Sequence, residues 1–263
     1  MIARPQESFW HQLRIQRRVI WALVLREMIT RFGREGLGIL WLIGEPAMFI
    51  VGVVAIFGNI EGARNGITMA EYLAVSYPTI LLWRNTSGRV AKALEANRAL
   101  LHHSPIRPVD LFYSRIILEF SGAAASFLVL YLVFVALGIC RWPADVFLMT
   151  VGYLMVAWFS FGFVLMMGAL TELSETIDRV SHIILYLMLP FSGVFVPVSL
   201  VPDQFKHLIV LFPLVDCVEM FHAGYFGERM QTYYFVGYTI AANLVLTFIG
   251  LVLTQIAIGR VKR

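Results

Sequence analysis

The residues KALEANRALLHHSPIRPVDLFYSR, Lys92 to Arg115, form the longest polar interruption between two strongly apolar blocks of the chain. Lys92 to Leu101 is rich in Ala, Leu, Glu and Lys, which predicts a helix. Ser104-Pro105 and Arg107-Pro108 then stop it, because proline lacks the N–H and restricts the residue before it. Asp110 is expected to cap the next helix, with Leu111 opening the following apolar run. The stretch therefore predicts a short, stiff, exposed helix between two membrane segments and rigidly joined to the second. Such a part is shaped to receive a push from outside the bilayer.

Composition sets the surroundings. The 263 residues are 59% hydrophobic and only 14% charged, with mean hydropathy +0.75. A soluble domain carries roughly a quarter charged residues; this is an integral membrane protein. The net charge of +4 does not point to nucleic acid, since the basic residues cluster beside apolar blocks. Cys140 and Cys217 are too few for a disulfide framework and lack metal-ligand spacing. The N-terminus lacks a signal-peptide pattern.

Around the opening stretch, six spans are expected, in one domain of residues 37–263: about Gly38–Ile60, Ile67–Val90, Leu111–Gly138, Val146–Leu170, Val180–Leu200 and Tyr233–Ile258. The first is interrupted by Glu45-Pro46 and the fifth by Pro190 and Pro197; the third carries the small-residue run Ser121 to Ser126. Residues 1–36 hold seven of the 21 Lys and Arg. Their apolar run Val19–Leu25 is too short to cross and predicts a helix lying in the interface, with Trp10 and Trp21 as anchors. Packing of that helix on protein is the alternative. Val201 to Met230 is cut by Pro213 and too short to span. It is read as half-helices dipping into the outer leaflet or as a folded surface loop.

Arg and Lys set the orientation. The N-terminal segment, the 92–115 loop with its flanks, Arg179 and the tail hold 17, against Arg64, Arg141, Lys206 and Arg229 on the other side. Both termini are expected in the cytoplasm.

No GxxxxGK[ST], HExxH, GxSxG or CxxC occurs, so nucleotide binding by a P-loop is not expected and no catalytic or metal cluster stands out. His102 and His103 are adjacent in a polar loop and read as solvated. The informative residues are Glu45, Arg84 and Glu119 at membrane depth. Each costs about 2.5–3.5 kcal/mol on the insertion scale. Glu119 is expected to pair with Arg115 four residues before it. Arg84 either pairs with Glu45 across helices or holds an anionic substrate group. The aromatic side chains Trp83, Tyr153, Trp158, Phe159 and Tyr186 either pack or let sugar rings slide past.

Taken together, Leu25-Arg26-Glu27, Arg31-Phe32-Gly33, Leu37-Gly38, Leu40-Trp41, Glu45-Pro46, Trp83-Arg84-Asn85, Leu94 to Asn97, Arg107 to Asp110, and Ser192-Gly193 followed by Pro202, Pro213 and Glu219 carry a resemblance. In order and spacing they resemble the ABC-2 type permeases that export capsular polysaccharide in Gram-negative bacteria. The resemblance spans nearly the whole length.

It implies an all-α integral membrane fold of six transmembrane helices, the ABC-2 exporter or type V ABC fold. An N-terminal interfacial helix, a coupling loop at 92–110 and short re-entrant outer helices at 201–230 complete it. It further implies a homodimeric, multi-pass inner-membrane permease, itself no enzyme, with ATP and Mg bound by two copies of a separately encoded ABC ATPase. Cargo would be a lipid-linked acidic polysaccharide handed to periplasmic and outer-membrane export proteins. ATPase coupling would fall to Glu95, Asn97, Arg98, Arg107, Asp110, Glu172 and Glu175. Substrate would enter near Arg26, Arg31 and Arg34 and pass Trp83, Arg84, Arg89, Tyr153, Trp158, Phe159 and Tyr186. A permease for small lipids or drugs, and a membrane-embedded glycan-modifying enzyme, are the other readings.

Overall fold

The computed structural model describes residues 9–32, 37–57, 66–90, 97 and 108–261. They form nine α-helices and no strand: α1 (Phe9–Phe32), α2 (Leu37–Phe57), α3 (Met69–Val90), α4 (Pro108–Ala136), α5 (Val146–Leu173), α6 (Glu175–Met188), α7 (Asp203–Val210), α8 (Pro213–Phe226) and α9 (Val236–Val261).

Helix α5 is the post on which the others are mounted: α9, α8 and α3 all pack against it. Asn243 Nδ2 donates to Met155 O, and Thr254 Oγ1 to Leu165 O, so α9 runs parallel to α5. Backbone comes close because glycine is there. A Cβ on Gly224 would lie 2.1 Å from Met149 N, and one on Gly152 would lie 2.5 Å from the backbone of Phe221. This lets α8 lie directly on α5. Phe212, just before α8, meets Phe159 halfway along α5 at 6.0 Å between ring centres. Helix α8 therefore begins at half depth and climbs to the end of the bundle where the 137–145 turn lies.

Among the described residues, α4, α5 and α9 are long and apolar enough to cross a membrane. The pair α7–α8, bent by 104°, has the shape of a broken span or re-entrant loop. The other three expected spans are helical but different in kind. Helix α2 runs through Pro46 for 21 residues, and α3 runs through Pro78 while carrying Glu71, Arg84 and Arg89. The expected fifth span begins earlier, at Glu175 under the Ser174 cap, and stops at Met188 after 14 residues. That is about 21 Å of helix. Pro190 and Pro197 then force 3₁₀ turns at Pro190–Ser192 and Val198–Leu200.

One local expectation is corrected. Asp110 does not cap α4: the helix begins at Pro108, whose missing N–H is harmless in a first turn, and Asp110 sits inside that turn. The N-terminal helix, α1, extends on both sides of its apolar run, and one face of it docks on protein. Leu23 packs in one cluster with Leu111, Phe112, Ile116, Val164 and Leu165.

Candidate functional site

Helices α3, α4, α5 and α9 bring one set of ends together beside α1, and there ionisable side chains converge. Arg84 Nη2 on α3 donates to Glu45 Oε1 on α2 at 3.0 Å. Arg89 Nη1 donates to Glu119 Oε2 on α4 at 2.8 Å. Arg115 lies 3.3 Å from Glu27 of α1 and donates to the Arg89 carbonyl at 2.8 Å. Three arginines meet three glutamates, so the cluster is formally neutral and each helix offsets another's charge. The expected Arg115–Glu119 pair within α4 is replaced by cross-helix pairs. Glu119 is almost fully buried and lines a cleft with Pro78, Leu81, Asn85, Ala123 and Ser126.

The same end holds the described part of the coupling stretch. Asn97 is buried and accepts a hydrogen bond from Arg26 Nη2 at 2.9 Å. Asp110 is buried and accepts one from Gln16 Nε2 at 3.2 Å. Helix α1 thus touches the segment between α3 and α4 at Asn97 and the first turn of α4 at Asp110. Glu172 and Glu175 flank the Ser174 cap where α5 turns into α6, and Glu175 is exposed with Arg179 3.8 Å away. Glu95, Arg98, Arg107 and Arg34 lie outside the described residues, as does the side chain of Arg31.

The aromatic residues named from sequence do not share one surface. Trp83 is wholly buried against Phe163. Tyr153 stacks on Phe127 at 5.6 Å, and Phe159 lies between Phe163 and Phe212. Trp158 donates from Nε1 to Thr247 Oγ1 of α9 at 3.1 Å. Four of the five are thus packing residues within one chain. Tyr186 alone is largely exposed. Among the charged candidates, Arg84 is a quarter exposed and Arg89 is 40% exposed.

Of a second polar group, on α8, sequence reasoning named only Glu219 and gave it no role. Asp216, Glu219 and His222 recur every three residues on one helix face and are fully buried. Asp216 accepts from Phe235 N at 2.9 Å and from the Thr239 hydroxyl. Glu219 accepts from Val198 N at 3.3 Å and Tyr233 N at 2.9 Å. His222 Nε2 lies 2.7 Å from Ser76 Oγ of α3. The two carboxylates therefore tie down irregular backbone on both sides of the bent pair, which is what an unspanned dip into a bilayer needs. The signal was the three-residue spacing of polar side chains in a short apolar helix. Ser76, His222 and Glu219 follow the order of a nucleophile, base and acid. Their Glu–His distance of 3.8 Å and complete burial make them a tie between helices.

At the opposite end of the bundle, by the 137–145 turn, Arg229 Nη1 donates to both oxygens of buried Glu71 at 3.0 and 3.1 Å. The Tyr225 hydroxyl joins Glu71 at 3.1 Å. No group of three or more potential metal ligands occurs among the described residues.

Comparison with known proteins agrees with this architecture. The sequence model of the ABC-2 type transporter family matches residues 18–226. The chain is 35% identical to the capsule polysaccharide export inner-membrane protein CtrC of Neisseria meningitidis serogroup B, over 97% of both chains. It is 33% identical to the capsule polysaccharide export inner-membrane protein BexB of Haemophilus influenzae, over 95% of both. Against the polysialic acid transport protein KpsM of Escherichia coli the identity is 28%, over 91% of this chain and 93% of the relative. With helices, polar ties and full-length likeness in agreement, the chain belongs to the ABC-2 type transporter family.

Proposed function

We propose that this chain is the permease subunit of an exporter that carries a lipid-linked acidic capsular polysaccharide across the inner membrane. The observation that carries the reading is the nearly end-to-end likeness to proteins named for capsule polysaccharide export. In this reading both termini are cytoplasmic and two copies form a dimer. Two copies of a separate ABC ATPase bind ATP and Mg against the 92–110 segment, and periplasmic and outer-membrane proteins receive the polymer.

The α1 end supports a coupling role. Force on the 92–110 segment meets Asn97, held by Arg26, and Asp110, held by Gln16. It therefore reaches α4 and α1 together. Polar groups on the route narrow to those still reachable. Each guanidinium already serves a glutamate, but Arg89 is 40% exposed against 24% for Arg84, so Arg89 is the better contact for a polymer carboxylate. Tyr186 is the exposed aromatic on which a sugar ring can slide.

The test is depletion of the protein in its host, followed by locating and sequencing the accumulated glycan. Acidic, lipid-linked polymer trapped in the cytoplasm supports the reading. Unchanged surface polysaccharide rejects it and favours a permease for small lipids or drugs.

A further inference from the structure

We propose that Arg179 and His182, on one exposed strip of α6 with Tyr186, form an anion site that selects for the carboxylates of an acidic polysaccharide; the ligand named here rests on the exporter reading. Helix α6 turns back from α5 at the Ser174 cap, with Ser181 buried and Leu185 in the main apolar cluster. At 100° per residue, its remaining side chains separate into two further faces. Val180, Ile183 and Leu187 form one, exposed and apolar as a lipid-facing surface must be. Glu175, Arg179, His182 and Tyr186 form the other, at steps of four, three and four residues within a strip about 60° wide.

That strip faces away from the chain that carries it. Arg179 is 81% exposed and Tyr186 65%. His182 is exposed and has no hydrogen-bond or ion-pair partner among the described residues. From Glu175, His182 stands about 10 Å along the helix and Tyr186 about 16 Å. Hydrocarbon cannot satisfy an imidazole and a phenol hydroxyl at that depth. Ionisable side chains inside a membrane line water-filled paths or protein contacts, and mark the routes of substrates.

The chemistry of the strip selects its ligand. The Arg179 fork suits a carboxylate. Its present partner, Glu175, is a loose 3.8 Å contact between two exposed side chains, which another carboxylate can replace. One turn further, His182 offers a ring N–H to a carboxylate or hydroxyl; a turn beyond that, Tyr186 offers a hydroxyl and an aromatic face. A cation meets Arg179 and finds only Glu175, at the start of the helix. A plain acyl chain uses none of these groups. A chain of acidic sugars uses each in turn, because the contacts recur at about the 5.4 Å helical pitch. Tyr186 supplies a surface for sliding, and Arg179 with His182 supplies the preference for charge.

The experiment places single cysteines in the full chain, as H182C, Y186C, I183C and L187C, in inverted membrane vesicles of the host. The wild type is the blank, since Cys140 and Cys217 are buried. Two membrane-impermeant methanethiosulfonates are the probes, one carrying sulfonate and one trimethylammonium, each rate divided by that with free mercaptoethanol. H182C and Y186C should be labelled while I183C and L187C are not. The anionic reagent should be favoured at H182C by roughly three- to ten-fold, as one guanidinium a helical turn away in water implies. R179Q, or 1 M salt, should remove that preference. Alginate oligomers should slow labelling of H182C several-fold, and neutral dextran oligomers should not. In the host, R179Q/H182Q should lower surface polysaccharide several-fold at unchanged protein level, and R179K/H182K should keep most of it.

Equal labelling at 182 and 183, no labelling at 182 and 186, or no anion preference overturns the site. Equal protection by alginate and dextran overturns the acidic ligand. If the labelling pattern fails while depletion of the chain still traps polymer in the cytoplasm, the site falls and the exporter reading stands. If labelling is as expected while depletion leaves surface polysaccharide unchanged, the exporter reading falls and the anion site stands.

Discussion

Arg229 reaches Glu71 across 158 residues of chain and gives one guanidinium nitrogen to both carboxylate oxygens. Glu71 is 3% exposed at its side chain, so the arginine is what makes that buried charge tolerable. Arg229→Ala is expected to cost about 3–5 kcal/mol, the range for stranding a buried partner. Arg229→Lys should lose less, and R229A with E71Q less than R229A alone. Urea or thermal unfolding of detergent-purified protein measures this; equal stability of R229A and wild type would show the pair to be idle.

Gly224 and Gly152 set the separation of α8 and α5. Gly224→Ala places a methyl 2.1 Å from the Met149 nitrogen, where only backbone stands. A loss at or beyond the about 1–3 kcal/mol typical of overpacking is expected. Gly237, with nothing within 4 Å of its would-be Cβ, is the control. Gly237→Ala should unfold with the wild type, and stability of both alanine variants would mean that α8 does not lie on α5.

Glu45 and Arg84 are each only a quarter to a third exposed. Removing either should cost about 2 kcal/mol, less than a fully buried pair because water reaches both. The double substitution E45A/R84A should cost less than the sum of the singles. The reversed pair, E45R/R84E, should recover part of the loss. Strict additivity in the cycle would show that the two groups act separately.

Cys140 lies in the turn between α4 and α5, is almost fully buried, and is free. Burial pushes its thiol up to about 11, with the Glu71 carboxylate adding to the shift. At pH 8 the thiolate is then only about one part in a thousand, so alkylation of folded protein should be slow and should quicken as pH rises towards 11. Mass spectrometry of the tryptic peptide after iodoacetamide treatment reads it. Fast labelling at pH 8 would place Cys140 at the surface.

Arg26 bridges α1 to Asn97 by one hydrogen bond, 71 positions apart. Arg26→Ala is expected to lower export several-fold while protein abundance stays within about 1 kcal/mol of wild-type stability, as a single lost hydrogen bond implies. Surface polysaccharide scored beside membrane protein level distinguishes a coupling defect from misfolding. Normal export at normal abundance removes Arg26 from the coupling path.

Much of the fold could be read from apolar run length alone. Helices α4, α5 and α9 are long, nearly uncharged runs, and α4, α5 and α9 have few other ways to exist. Helix α6 could not be read so well, because prolines at 190 and 197 end regular structure without ending hydrophobicity. The site was legible as residues and illegible as partners. Glu119 has a good local candidate in Arg115, but Arg115 is drawn away by Glu27 of α1, and Arg89 comes from another helix to fill the gap. Pairing distance along the chain says nothing of this. The aromatic residues misled for a related reason. A ring that can stack on sugar stacks equally well on Phe127 or Phe163, and only three dimensions decide between them. The roles of Asp216 and Glu219 were missed because their partners are mainly backbone N–H groups, which no side-chain pattern advertises.

The pairing of Glu45 with Arg84 also bears on how the chain is made. The two are 39 residues apart, so during synthesis at 5–20 residues per second the glutamate emerges about 2–8 s before its partner. During that interval α2 carries an uncompensated charge worth about 2.5–3.5 kcal/mol against insertion. Helix α2 is therefore poorly suited to leave the insertion machinery alone, and entry together with α3 as a hairpin is the expected order. The order of assembly is written into the separation of two charges.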